Sequence, residues 1–296
     1  MPNKSLTKPV YKRQQFLLAF LHEIKGGCSA TDLQKLIFLY THDNGVSFYD
    51  FVPYKYGSYS FQLAQDIDTL HSIGWLEHIG TNISYTGYDS NSLFGYSASQ
   101  FKSIDNLRGN KLIKKVYIQH PYYAINSIKA TALLNDNEMK TVRNTHAQLK
   151  QDGQVLFTIG YEGLSVETYI NTLIQNDVHL LCDVRNNPLS RKFGFSKSNL
   201  GYFLQNVGIE YVHIPELGII SGKRKSLETK EDYDVLFGEY SETLSAKKRY
   251  LDDVHTLMQT KKRIALTCFE HDPQFCHRHV IRDNLVKEHH LNHKDL

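Results

Sequence analysis

From Val155 onward the chain alternates short apolar runs with longer stretches of helical spacing, and this alternation constrains the fold more than any other feature of its 296 residues. Val155–Ile159, Leu180–Val184, Glu210–Ile214 and Ile264–Cys268 have the length and composition of strands. Helical spacing runs over Ser165–Asn176, Ser196–Asn206 and Tyr233–Gln259, and a last helix is expected from about Cys276 to His289. Strands that alternate with helices need crossover connections, so residues 151–296 are expected to form an α/β domain with a mainly parallel sheet. In such a sheet ligands collect outside the carboxyl ends of the strands. Any chemistry is therefore expected at the four strand ends.

Three of those ends carry reactive or charged side chains. The second strand runs into Asp183, Arg185, Pro188, Ser190 and Arg191. One carboxylate and two guanidinium forks on a single loop suit a phosphate, which Arg binds in bidentate fashion; an Asp–Arg pair bracing the loop is the plainer alternative. The fourth strand runs into Cys268 and Glu270, and Cys276, His277 and Arg278 open the last helix, where free N–H groups attract anions and lower a thiol's pKa. The third strand leads to Glu216 and then to the basic loop Lys223, Arg224, Lys225. After the first strand, Gly160 and Gly163 flank Tyr161 and Glu162 without making a dinucleotide fingerprint. These glycines are expected to let the backbone approach a ligand or a neighbouring loop, and no cofactor is expected.

Cys268, Cys276 and His277 are metal-ligand types, but a C-x7-C-H spacing is not that of a finger or a deaminase and no C-x-x-C pair occurs. A zinc site, a nucleophilic thiolate at Cys276 and a purely structural pair all stay open, and no metal is the working expectation. Cys28 and Cys182 lie in apolar contexts and are expected to be small buried hydrophobes.

Residues 1–150 read differently. Helices are expected over Gln14–Ile24, from the Ser29/Asp32 start signal to Asn44–Gly45, and over Phe61–Ile73, followed by short alternating segments out to about Ser99. Three helices and then a hairpin-like stretch is the order of a winged helix, so an α-rich, winged-helix-like domain is expected. Tyr54, Lys55, Tyr56, Ser58 and Tyr59 would suit phosphate contacts, and equally a surface turn. The segment also faintly resembles the Lys-x-Gly-Pro region of antitoxin-type helical domains, with Ser58 in place of the proline. From Lys102 to Gly153 the pattern is polar and helical, and it is expected to be a linker without a core-forming face.

Composition adds limits. A net charge of +3 argues only weakly for a polyanionic partner, although Lys and Arg cluster at 223–225, 247–249 and 261–263 beside 19 tyrosines and 15 phenylalanines. No apolar run is long enough to span a membrane, and no signal peptide is evident, so a cytoplasmic protein with no membrane partner is expected. The sequence leaves the oligomeric state open.

Taken together, Thr158–Tyr161, Asp183–Arg185 with Pro188 and Ser190–Arg191, Tyr211–His213 with Glu216–Gly218, and Cys268–Glu270 with Cys276–Arg278 resemble the bacterial domain of unknown function 488, over about residues 155–285. The resemblance implies an α/β fold, marks these positions as the family's site and points toward action on nucleic acids, removal of modified bases included. The leading expectation is thus a DNA-directed hydrolase that cuts an N-glycosidic bond, with DNA favoured over RNA as partner. In it Arg185, Arg191 and Arg278 would grip phosphate, Asp183 or Glu270 would orient water, and Tyr161 or Phe193 would stack on the base. The alternative is a winged-helix regulator or antitoxin-like protein whose C-terminal pocket senses an anion. A third reading is a thiol-dependent phosphatase or transferase using Cys276.

Overall fold

The structure, a computed structural model, describes residues 7–87, 92–224 and 227–296, and the chain divides into two units, Met1–His146 and Ala147–Leu296.

The first unit contains α1 (Lys12–Glu23), β1 (Cys28–Ser29), α2 (Ala30–Asn44), the hairpin β2 (Val52–Tyr54) and β3 (Gly57–Tyr59), α3 (Phe61–Ser72), and the hairpin β4 (Leu76–Ile79) and β5 (Asn82–Tyr85). A small hairpin, β6 (Ser92–Leu93) and β7 (Tyr96–Ser97), precedes α4 (Gly109–Gln119), α5 (Ala130–Leu133) and α6 (Asp136–Leu149). Ser29 caps α2 by accepting from Asp32 N at 3.1 Å, and Gly45 ends it in the left-handed conformation. Every residue of α2 from Asp32 to Thr41 is buried, which makes it the central helix of the unit. Strands β1, β5 and β4 form one antiparallel sheet in that order.

Two expectations change here. The stretch from 102 to 153 is no linker: α4 buries Leu112, Ile113, Val116 and Tyr117 in the main core. Those four recur at helical spacing, but Lys111 before them and Lys114 and Lys115 between them make the segment look polar when it is read as a whole. Ser58, expected to contact phosphate, is fully buried. The Lys35 ammonium donates to Ser58 O at 2.7 Å and Gln34 exchanges hydrogen bonds with the Ser60 backbone, so α2 holds this hairpin inward.

The second unit is α/β. It runs β8 (Val155–Gly160), α7 (Val166–Gln175), β9 (Leu180–Asp183), α8 (Lys197–Gln205), β10 (Glu210–His213), α9 (Lys230–Thr243), α10 (Lys248–Lys261), β11 (Arg263–Cys268), α11 (Arg278–His289) and β12 (Asn292–Asp295). The five strands lie in the order β10-β9-β11-β8-β12, and every pairing is parallel. The central strands β8, β9 and β11 are almost wholly buried, as a sheet covered on both faces requires.

Three details depart from the sequence reading. The long helix is broken at Ser245–Lys247, where the Thr243 and Ser245 hydroxyls bond the Tyr240 and Glu242 carbonyls and compete with the helical ladder. The last helix starts at Arg278 rather than Cys276. Finally, Asn292–Asp295 is an edge strand without an apolar residue; it is held by pairing to β8 and by Thr158 Oγ1, which donates to Asp295 Oδ1 at 2.6 Å.

Candidate functional site

Because β9 and β11 are neighbours, the loops that leave their carboxyl ends meet. Between them lies a cavity of about 310 Å3 lined by Tyr161, Arg185–Asn187, Leu189–Arg191, Ile219, Cys268–Glu270 and His277. Gly160 and Gly218 are needed for this approach. A Cβ on Gly160 would sit 1.8 Å from Glu270 O, and one on Gly218 would sit 2.1 Å from Asn186 N.

Beneath the cavity lies a closed polar network. Asp183 is fully buried and accepts from Arg185 N (3.1 Å), Arg185 Nε (2.8 Å), Arg185 Nη2 (2.5 Å) and Tyr211 Oη (2.6 Å). Arg185 Nη1 donates to Tyr161 Oη and to Phe195 O, both at 2.9 Å. Burial pulls the guanidinium's pKa down, but the hydrogen bonds and charge of Asp183 outweigh it and hold the pKa above its ordinary value. The Tyr211 hydroxyl is raised by burial and then by the Asp183 carboxylate. Asp183 and Arg185 therefore saturate each other and brace the loop. Asp183 does not line the cavity, and Arg185, which does, spends its donors on Asp183, Tyr161 and Phe195 O.

Arg278 is likewise structural. It is fully buried and donates to Thr158 Oγ1 (3.2 Å), Glu270 O (2.5 Å) and His271 O (2.7 Å), clamping the loop that carries Glu270. Tyr161 lines the cavity, but one ring face is covered by Phe195 at a centroid distance of 4.3 Å. Phe193 and Glu216 do not line the cavity. Besides Arg185, Cys268 and His277, the cavity wall carries Glu270, which is half-buried, Ser190, and the exposed Arg191, which makes no hydrogen bond or ion pair among the described residues.

Cys268, Cys276 and His277 form one buried cluster. His277 Nε2 lies 3.0 Å from Val184 O. A carbonyl only accepts, so the neutral ring carries its proton on Nε2 and turns the Nδ1 lone pair to the two sulfurs. Cys268 Sγ is 3.7 Å and Cys276 Sγ 3.9 Å from Nδ1, and Cys268 Sγ is 3.5 Å from Glu270 Oε2. Burial first, and Cys268 second, push the Cys276 thiol well above its ordinary pKa. Its N–H is already bonded to Pro273 O at 3.1 Å, and the thiol has no exposure. A reactive thiolate at Cys276 has no support in this arrangement. Cys28 and Cys182 are buried and outside the cluster.

Sequence reasoning missed Tyr211 as Asp183's partner, although the parallel register sets the neighbouring His213 opposite Asp183. It also missed Asn186, Asn187 and Ile219 as cavity walls, since none carries a chemistry-bearing signature.

The expected nucleic-acid contacts scatter. Lys55 and Tyr56 are exposed, whereas Tyr54 and Tyr59 stack on each other at 4.7 Å. Lys223 pairs with Glu239 at 3.3 Å; Lys225 and the side chain of Arg224 fall outside the described residues. In the other basic clusters Lys248 is bonded to Glu288 and Lys261 to Glu210. A second hollow, about 970 Å3, lies in the first unit between Leu21–Gly27 and Ser84, Tyr85, Gly87 and Ala98; Glu23, the one carboxylate on its wall among the described residues, is engaged by His22 at 3.0 Å. No helix among the described residues is long and apolar enough to cross a membrane.

Residues 165–285 match the family model described as domain of unknown function DUF488. The match begins after β8, so Thr158, Gly160 and Tyr161 stand outside it, while Asp183, Arg185, Arg191 and the Cys268–Arg278 segment stand inside. No curated protein and no solved structure matches the chain.

Proposed function

We propose that the second unit is a hydrolase for an anionic, nucleotide-type substrate, with the N-glycosidic bond of a modified nucleotide in DNA as its target. The observation that carries this reading is the meeting of the β9 and β11 loops around one cavity that holds a carboxylate, Glu270, and an uncommitted guanidinium, Arg191. At about 310 Å3 the cavity suits a single small group such as an extruded base or a nucleoside. Glu270 serves as the acid or base, and Arg191 with Ser190 holds the anion. Asp183, Arg185 and Arg278 leave the reacting groups and become positioning residues, because their donors and acceptors are spent on each other and on the loops.

The test is incubation of the full chain with unmodified and modified DNA, with released bases and strand breaks read by mass spectrometry. Glu270→Gln should lower kcat by about 10²–10⁴. Turnover unchanged in Glu270→Gln, or no turnover on any DNA, removes the hydrolase.

The regulator reading keeps one specific support. The order α1-β1-α2-β2-β3-α3-β4-β5, with a β1-β5-β4 sheet, parallels a winged helix except for the β2–β3 hairpin inserted between α2 and α3. Against it, α3, which would take the place of the recognition helix, contains Asp66 and Asp68 and no Lys or Arg. DNA held by the full chain with no product released would favour the sensor.

A further inference from the structure

Cys268, Cys276 and His277 form a buried cluster that the hydrolase reading does not use. Cys268 Sγ, Cys276 Sγ and His277 Nδ1 all lie within 4.8 Å of one another, the sulfur–nitrogen separations being 3.7 and 3.9 Å. A tetrahedral zinc ion, with Zn–S near 2.3 Å and Zn–N near 2.0–2.1 Å, sets a sulfur and a nitrogen ligand about 3.6 Å apart. The observed edges come within a few tenths of an ångström of that value. The same separations lie at the long end of the range for hydrogen bonds to sulfur.

Two further observations point the same way. The Nε2–H of His277 is held by Val184 O at 3.0 Å. This backbone carbonyl behind the ring fixes the tautomer that presents Nδ1 as a ligand, the usual support of a metal-bound histidine. The cluster also sits at the edge of the cavity: Cys268 and His277 line it, whereas Cys276 lies behind them. A pair kept only for packing would not require the imidazole lone pair to face both sulfurs. Cys182, equally buried, has no such company among the described residues.

We propose that Cys268, Cys276 and His277 bind one zinc ion whose fourth position opens into the cavity beside Glu270. Thiolate and imidazole together select zinc over magnesium or calcium. Each thiol that holds a proton releases it to solvent as its sulfur coordinates. Three protein ligands and one open position is the pattern of a zinc site that holds water or substrate, in contrast to the four-ligand structural sites. Binding stands apart from the hydrolase reading; only the use of the open position for the attacking water rests on it.

The test uses the full chain, stripped with a chelator and reloaded with zinc chloride alone. It should retain about one zinc per chain after gel filtration. With cobalt(II) it should show the thiolate-to-cobalt charge-transfer and visible bands of a tetrahedral sulfur–nitrogen site. Cys268→Ser, Cys276→Ser and His277→Gln should each lower retained zinc at least about tenfold, while Cys28→Ser and Cys182→Ser leave it unchanged.

Replacing a buried ligand can unfold the unit, so alkylation of the wild type gives a readout that needs no variant. Zinc should slow modification of Cys268 and Cys276, mapped by mass spectrometry, at least about tenfold relative to Cys28. A folded protein that retains no zinc, or that retains it with no thiolate-to-cobalt band, overturns the site. Zinc retention without turnover supports the site and removes only the hydrolase; turnover by a protein that retains no zinc does the reverse.

Discussion

Both units bury charged groups, and they finish them differently. In the first unit Asp66, 1% exposed, accepts from Arg13 Nε (2.6 Å), Gln14 Nε2 (2.9 Å) and Tyr49 Oη (3.1 Å). Lys35 is spent on Ser58 O and Gln34 on the Ser60 backbone; Ser58 Oγ, buried without a hydrogen-bond partner among the described residues, is an exception. These groups tie helices to the β2–β3 hairpin. In the second unit the Asp183–Arg185–Tyr211 network is just as complete, but beside it two sulfurs lie 3.7 and 3.9 Å from one imidazole nitrogen at the edge of a cavity. Burial of polar chemistry is common to both, so it does not by itself mark a site. The mark is a set of ligand-type atoms left incomplete by the protein at the carboxyl ends of strands.

The largest expected effects test whether the two acidic networks are equivalent. Asp183→Ala and Asp66→Ala should each cost about 3–5 kcal/mol of their unit's stability, since each removes one partner of a buried charge network. Denaturant unfolding, followed by probes in each unit, measures this. An Asp183→Asn protein of wild-type stability and no turnover would break the comparison and return Asp183 to catalysis.

Next in size is Lys35. Burial lowers its pKa from 10.5 to about 7, against a smaller opposing pull from Asp32. The unfolded chain then holds more protons than the folded one between those values, so this group makes stability rise with pH. The contribution is roughly 1.4 kcal/mol per pH unit from about pH 7 toward 10.5, and it is flat below both values. Other groups titrate in that window as well; burial moves Cys28 up to about 12, which works in the opposite direction. The measurement is therefore the wild-type curve minus that of Lys35→Met. A difference that does not grow with pH would show that Lys35 is not buried as a titrating group.

How much of this was legible follows from the same physics. The parallel sheet was readable because β8, β9 and β11 are buried on both faces, and such strands read as mainly apolar runs, with Thr158, Asp183, Arg263 and Thr267 as their buried polar members. The strand ends that meet were readable from the rule about carboxyl edges, and Glu270 and Arg191 do face the shared cavity. What could not be read was which arginines were already engaged. Arg185 and Arg191 look alike in sequence, yet one is clamped by Asp183, Tyr161 and Phe195 O while the other is exposed. The zinc-type cluster was discounted because its spacing fits no common motif, but the fold brings Cys268 back beside Cys276 and His277 through the loop that Arg278 clamps. The strand β12 gave no signal, because its pairing is made by backbone at a polar edge.

A smaller effect separates the two arginines. Arg191→Ala should leave stability within about 0.5 kcal/mol of wild type, as expected for an exposed side chain without partners. It should raise KM for an anionic substrate about tenfold, the loss of one charge-assisted contact. Arg185→Ala should do the reverse, with a large stability loss dominating.

The smallest expected effect concerns the first unit's only well-exposed part of the tyrosine-rich hairpin. Lys55 is exposed at the β2–β3 turn, and its ammonium lies 5.9 Å from the Tyr54 ring centroid without an ion pair to hold it. Its removal should not change stability beyond about 0.5 kcal/mol. If this turn contacts a DNA backbone, Lys55→Ala should weaken binding about equally across sequences and reduce the slope of log affinity against log salt by about one. Fluorescence anisotropy with the full chain at several salt concentrations reads both numbers. An unchanged slope would leave the hairpin as a purely structural element docked by Lys35 and Gln34, and any DNA contact would then have to come from a different surface than the one its tyrosines advertise.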